Sequence, residues 1–113
     1  MVDWDLEKLT KGERLIVARR RAGESQGKAA KRHGVSHTRY SRWERGLDDS
    51  APNVLIGQLQ PHERCLLLRR RVGWGQDRIA QEMGVCKEWL RQMERGVGNC
   101  ARLVQYWEDQ KGA

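Results

Sequence analysis

Apolar positions along the chain fall into short runs with helical spacing, and the runs come in two matching sets. Leu15, Ala18 and Ala22 share one helical face, followed by Val35, Tyr40 and Trp43 on another. Cys65, Leu68 and Val72, then Val85, Leu90 and Met93, repeat the arrangement. Ala30 and Ala80 lie between the runs, where each later set is expected to pack. Polar residues and glycines punctuate the runs. Thr10-Lys11-Gly12-Glu13 has the spacing of a capping box, and Pro61 with Glu63 opens the matching helix. Gly23 and Gly73 close these first helices. Ser25 caps a short helix from about Gln26 to His33, matched by Gln76 to Met83. Gly34 and Gly84 turn the chain into a third helix, roughly His37 to Arg45 behind the cap Ser36. The corresponding stretch from Lys87 to Arg95 follows Cys86, a poorer cap. Gly46 and Gly96 stand where a left-handed C-terminal residue is expected. The whole pattern predicts an all-α fold.

Setting Arg14 against Arg64 gives an ungapped offset of 50 residues that also aligns Glu13/Glu63, Arg19/Arg69, Gly23/Gly73, Gln26/Gln76, Ala30/Ala80, Gly34/Gly84 and Glu44-Arg45-Gly46 with Glu94-Arg95-Gly96. Identities that fall on turns, caps and core positions mean a folded module present twice. The expected boundaries are 9–58 and 59–113. Asp48-Asp49-Ser50 with Pro52 is expected to restart a helix over Asn53 to Leu59. Leu103, Val104, Tyr106 and Trp107 predict a closing helix from Ala101 to Gln110, packed internally or against a partner.

Composition narrows the function. The 113 residues are 38% hydrophobic and 33% charged, too polar for a membrane protein. The run Cys65-Leu66-Leu67-Leu68 is far too short to cross a bilayer, and the acidic start at Asp3, Asp5 and Glu7 does not resemble a secretory leader. A cytoplasmic chain is expected. Cys65, Cys86 and Cys100 lack the paired spacing of a disulfide framework or zinc site, so neither metal nor cofactor is expected. No nucleophile with a base, phosphate-binding loop or paired carboxylates points to an enzyme, and no small-molecule ligand is evident. The formal charge of +7 favours a polyanionic partner.

Gly23-Glu24-Ser25-Gln26, Ala29-Ala30, Gly34-Val35-Ser36 and Trp43-Glu44-Arg45-Gly46 resemble the Cro and lambda-repressor (XRE) helix-turn-helix family. The second repeat is similar through Gly73-Trp74-Gly75-Gln76, Ile79-Ala80, Gly84-Val85-Cys86 and Met93-Glu94-Arg95-Gly96. The resemblance implies two tandem lambda-repressor-like modules of about four short helices each, with the third helix of a module in the DNA major groove. It implies structural ion pairs between Arg19 and Glu44 and between Arg69 and Glu94. His37, Thr38, Arg39 and Arg42, with Ser41 nearby, become the base-reading positions. Gln26, Lys28, Ser36 and Arg45 become phosphate contacts, as do Gln76 and Arg95 in the second repeat.

The equivalent reading positions in the second repeat are Lys87, Glu88, Trp89, Arg91 and Gln92, and their chemistry differs. From 24 to 47 six cations stand against two acids, whereas from 74 to 97 there are four of each. Glutamate can accept from cytosine and an aromatic can meet a thymine methyl, so DNA contact by this repeat stays open. Trp74 and Trp89 as protein-interface anchors are the alternative. Arg20, Arg21, Arg70 and Arg71 are expected in solvent or near phosphates.

The reading is therefore a sequence-specific double-stranded DNA-binding regulator, a repressor of phage or mobile-element type. A homodimer is left open, as are an antitoxin-like or inhibitory protein-interaction module and RNA binding.

Overall fold

A computed structural model describes residue 6 and residues 8–111. Its described residues form seven α-helices and no strand: α1 (Lys11–Arg21), α2 (Gln26–His33), α3 (His37–Glu44), α4 (Pro61–Val72), α5 (Gln76–Met83), α6 (Lys87–Glu94) and α7 (Ala101–Lys111). None is long and apolar enough to cross a membrane. Contacts divide the chain after Gln58 into one unit over 8–58 and another over 59–111 that takes in Leu6.

Local chemistry accounts for the helix starts. Glu13 N donates to Thr10 Oγ1 at 3.1 Å while Thr10 N donates to Glu13 Oε1 at 2.9 Å, a reciprocal pair that satisfies two otherwise orphaned amides of α1. Gln60 N donates to Glu63 Oε1 at 2.8 Å at the start of α4, where Pro61 already has a helical φ. Ser25 and Ser36 cap α2 and α3 by accepting from Lys28 N and Arg39 N at 3.2 and 3.1 Å. In the second unit α5 starts on Gly75 with no side-chain cap, and α6 starts on Cys86, whose sulfur accepts from Trp89 N at 3.4 Å.

Each unit has its own core. Leu15, Ala29, Ala30, Tyr40, Trp43 and Ala51 form that of the first, with Val35 and Val54 against it. Cys65, Leu67, Ile79, Ala80, Leu90, Met93, Leu103 and Trp107 are buried in the second. Gly12 lets the first turn of α1 press on the end of α3, since a Cβ there would lie 2.4 Å from Trp43 O. Its counterpart His62 instead sets its ring against Gly96.

Several expectations are corrected. The apolar stripe of α1 is not Leu15, Ala18 and Ala22: Leu15, Ile16 and Val17 are buried, Ala18 is half-buried, and Ala22 is the exposed C-cap. In α4 the four consecutive residues Cys65 to Leu68 are all buried while Val72 is only half-buried. At about 100° per residue, consecutive buried positions enclose most of a turn, so these helices bury more than one stripe.

Residues 53–59 are not helical. Asp48, read as a helix-starting acid, bonds Ser50 N at 2.9 Å and so closes a local turn two residues on. Beyond it Ala51 and Ile56 are buried, Gly57 has a left-handed φ of 65°, and the Arg21 guanidinium donates to Ile56 O and to Gln58 O, the latter at 2.9 Å. Carbonyls held this way strap a non-helical segment instead of closing helical turns. Arg21, expected in solvent or at phosphates, is exposed and through these bonds also holds the segment. The first unit accordingly has three helices plus this strap and the second has four, in place of four in each.

Candidate nucleic-acid interface

The α3 surface rests on a polar network that joins three helices. Arg19 of α1 donates through Nε and Nη2 to the two oxygens of Glu44 at 2.6 and 3.3 Å, and through Nη1 to Glu24 O at 3.2 Å. Gln26 of α2 donates to Glu44 Oε1 at 2.9 Å, and its own carbonyl oxygen lies 3.2 Å from His37 Nε2. The Glu44 side chain is only 1% exposed, so these donors supply what water no longer does. Beside it the hydroxyl of buried Tyr40 titrates well above the usual tyrosine range, first because burial disfavours the phenolate and then because Glu44 is anionic.

The network occurs twice. Arg69 Nε and Nη2 donate to Glu94 at 2.7 and 3.1 Å, Nη1 donates to Trp74 O at 3.1 Å, and Gln76 Nε2 donates to Glu94 Oε1 at 2.9 Å. Corresponding distances agree within about 0.2 Å. Gln26 and Gln76, expected at phosphates, therefore have one amide N–H on an internal carboxylate, which leaves each amide its second.

On this support the expected reading residues of α3 are displayed outward. His37, Thr38, Arg39 and Arg42 are exposed, whereas Tyr40, Trp43 and Glu44 of the same helix are buried and Ser41 is intermediate. Ser36, Lys28 and Arg45 are exposed around it. Arg39 is not loose. Its Nη2 donates to Ser50 Oγ at 3.1 Å, its Nε lies 3.7 Å from Asp48 Oδ2, and its guanidinium carbon is 5.8 Å from the Trp43 ring centre. Ser50 Oγ also accepts from Trp43 Nε1 at 3.0 Å and donates to Asp48 Oδ1 at 2.7 Å. The bonds that Ser50 Oγ and Ser50 N donate to Asp48, with Arg39 and Arg42 nearby, hold the Asp48 carboxyl below its ordinary pKa. Sequence reasoning missed this cluster, although Asp-Asp-Ser is a signature of a side-chain-closed turn.

The second unit presents α6 in the same place with different chemistry. Lys87, Glu88, Arg91, Gln92 and, after the helix, Arg95 are exposed. Glu88 accepts from Arg91 Nη2 at 3.1 Å and from Gln92 Nε2 at 3.3 Å, and Lys87 pairs with Asp77 at 3.3 Å. Trp89 is half-buried, with the Arg102 guanidinium of α7 5.8 Å from its ring centre and that side chain tied to Met83 O at 2.9 Å. Trp74 is half-buried too, between Arg78 at 3.9 Å and the Trp107 ring at 6.2 Å. Both tryptophans are thus partly covered by their own unit.

No protein-family model, curated protein or solved structure matches the chain.

Proposed function

We propose that the chain is a sequence-specific double-stranded DNA-binding transcriptional regulator of the Cro and lambda-repressor helix-turn-helix type, reading the major groove with α3. The observation that carries this reading is the division of one helix. Tyr40, Trp43 and Glu44 anchor α3, while His37, Thr38, Arg39 and Arg42 stand exposed on it. An α-helix with its side chains is about 10–12 Å across and fits a major groove about 12 Å wide. Arginine, threonine and histidine can all satisfy base edges there, and Lys28 and Arg45 carry charge for flanking phosphates. Repression by occupancy of a site, in the manner of a small phage or mobile-element regulator, is the simplest action for such a chain. The expected residence is the cytoplasm.

One observation favours a lesser reading role for the second repeat. The acidic Glu88 occupies two of the polar partners that α6 would offer a base, and Lys87 is paired with Asp77. Backbone and phosphate support, or contact with another protein, suits that face better.

The test is selection from a random duplex pool on the full chain, followed by titration of the enriched duplex at several salt concentrations. Specific binding should weaken steeply with salt, since each neutralised phosphate adds about −0.9 to the log–log slope. The double substitution Arg39→Ala, Arg42→Ala should abolish preference for the enriched site. Undiminished binding by that variant would remove the assignment.

A further inference from the structure

We infer that Asp48 and Ser50 are positioning residues that present Arg39 end-on to a guanine, an inference that rests on the DNA-reading role proposed for α3. A guanidinium has two double-donor edges, one made by Nε with Nη2 and one by Nη1 with Nη2. Asp48 Oδ2 faces Nε at 3.7 Å as an ion pair and Ser50 Oγ takes a hydrogen bond from Nη2 at 3.1 Å, so the first edge is turned toward acceptors of the protein itself. The second edge remains for a ligand. Two parallel N–H donors on that edge match the adjacent O6 and N7 acceptors that only guanine presents in the major groove. Adenine offers a donor beside N7 and would leave one N–H facing another.

The buttress is a closed set of contacts. Ser50 Oγ receives Trp43 Nε1 at 3.0 Å and gives its proton to Asp48 Oδ1 at 2.7 Å, while Ser50 N donates to the same oxygen at 2.9 Å. Trp43 is buried in the core, so the turn that orients Arg39 is referenced to the fold rather than to solvent. Fixing the rotamer before binding lowers the ordering cost of an otherwise mobile side chain. The second repeat supplies the contrast. Fifty residues on, Arg39, Trp43, Asp48 and Ser50 are replaced by Trp89, Met93, Gly98 and Cys100. All four members are absent together, as expected of groups that act as one device.

The inference separates discrimination from affinity. Asp48 is an acid beside a polyanion, so Asp48→Asn should bind non-specific duplex as tightly as the parent or more tightly, while losing preference for the guanine. Asn keeps an acceptor for Ser50 N, which preserves the turn.

The experiment enriches a random duplex pool on the full chain and measures relative affinities for all four base pairs at each position of the best site. Parent, Arg39→Ala, Asp48→Asn, Ser50→Ala and the double variant Arg39→Ala, Asp48→Asn are compared. Arg39→Ala should lose about tenfold or more of the preference for guanine at one position. Asp48→Asn and Ser50→Ala should lose about two- to fivefold at that position only, the scale of an exposed charge pair. Asp48→Asn should add nothing in the Arg39→Ala background. Full guanine preference in both Asp48→Asn and Ser50→Ala would overturn the inference and leave α3 as the reader. So would an Asp48→Asn effect that persists without Arg39, or an Arg39-dependent preference for another base. A pool that yields no enriched duplex would overturn the inference together with the DNA-reading role beneath it.

Discussion

The two units share a framework and differ on the surface that framework presents. Arg19, Glu44 and Gln26 reappear as Arg69, Glu94 and Gln76 with nearly the same bond lengths. Outward from that network the likeness stops. On α3, Arg39 is buttressed by Asp48 and Ser50 and Thr38 is exposed, whereas on α6 Glu88 binds its own neighbours Arg91 and Gln92. Buried polar groups must be satisfied by the fold, so a duplicated module has little freedom there. Exposed positions can change at little cost in stability. The same framework can therefore present two chemically different surfaces.

The comparison is broken most forcefully at the shared network. Glu44→Ala and Glu94→Ala each leave a partly buried arginine without its partner, at a cost of about 3 kcal/mol. Chemical unfolding followed by tryptophan fluorescence should show similar losses for the two, within about 1 kcal/mol. A large loss at one site and almost none at the other would mean that the repeated geometry does not carry repeated energetics.

A second contrast concerns the surfaces. Arg39→Ala with Arg42→Ala should cost at least about tenfold in binding to a selected duplex, while Arg91→Ala with Gln92→Ala should cost less than about threefold. Fluorescence anisotropy on a labelled duplex measures both. Equal losses would make α6 a full reader.

The difference can also be narrowed. Glu88→Thr copies the residue at Thr38, removes an acid from α6 and releases Arg91. It should tighten duplex binding about two- to fivefold and steepen its salt dependence. Unchanged affinity and slope would show that Glu88 does not limit the second repeat.

The smallest effect lies at a cap. Cys86 occupies the position of Ser36 with nearly the same backbone angles, φ −78° against −70°. Cys86→Ser replaces a weak sulfur acceptor with oxygen and should stabilise the chain by about 0.5 kcal/mol in thermal unfolding. A loss of stability would mean that the sulfur contributes packing that outweighs the cap.

Helices were the most legible part of the sequence because their ends are encoded locally. Ser25, Ser36 and the Thr10–Glu13 pair place starts, and left-handed Gly34 and Gly84 place ends, so α2 and α5 have the expected limits. The Arg19–Glu44 pair came only through the family resemblance, since 25 residues separate its members. Segment 53–59 is not legible as non-helical because its structure is held from a distance. Ala51 and Ile56 are buried and Arg21 takes the carbonyls of residues 56 and 58, which no local propensity reveals. Asp48 shows the same ambiguity at closer range, as one carboxylate can start a helix or close a turn. Which α3 side chains are exposed followed from helical spacing, but the bracing of Arg39 did not, because it depends on where that turn returns.

The unequal roles of the two surfaces face their most direct test in the information content of duplexes selected on the full chain. The account predicts one strongly specified motif whose base preferences disappear with Arg39→Ala, Arg42→Ala and persist with Arg91→Ala, Gln92→Ala. Two motifs of equal strength, or a motif erased by the α6 substitutions, would contradict it.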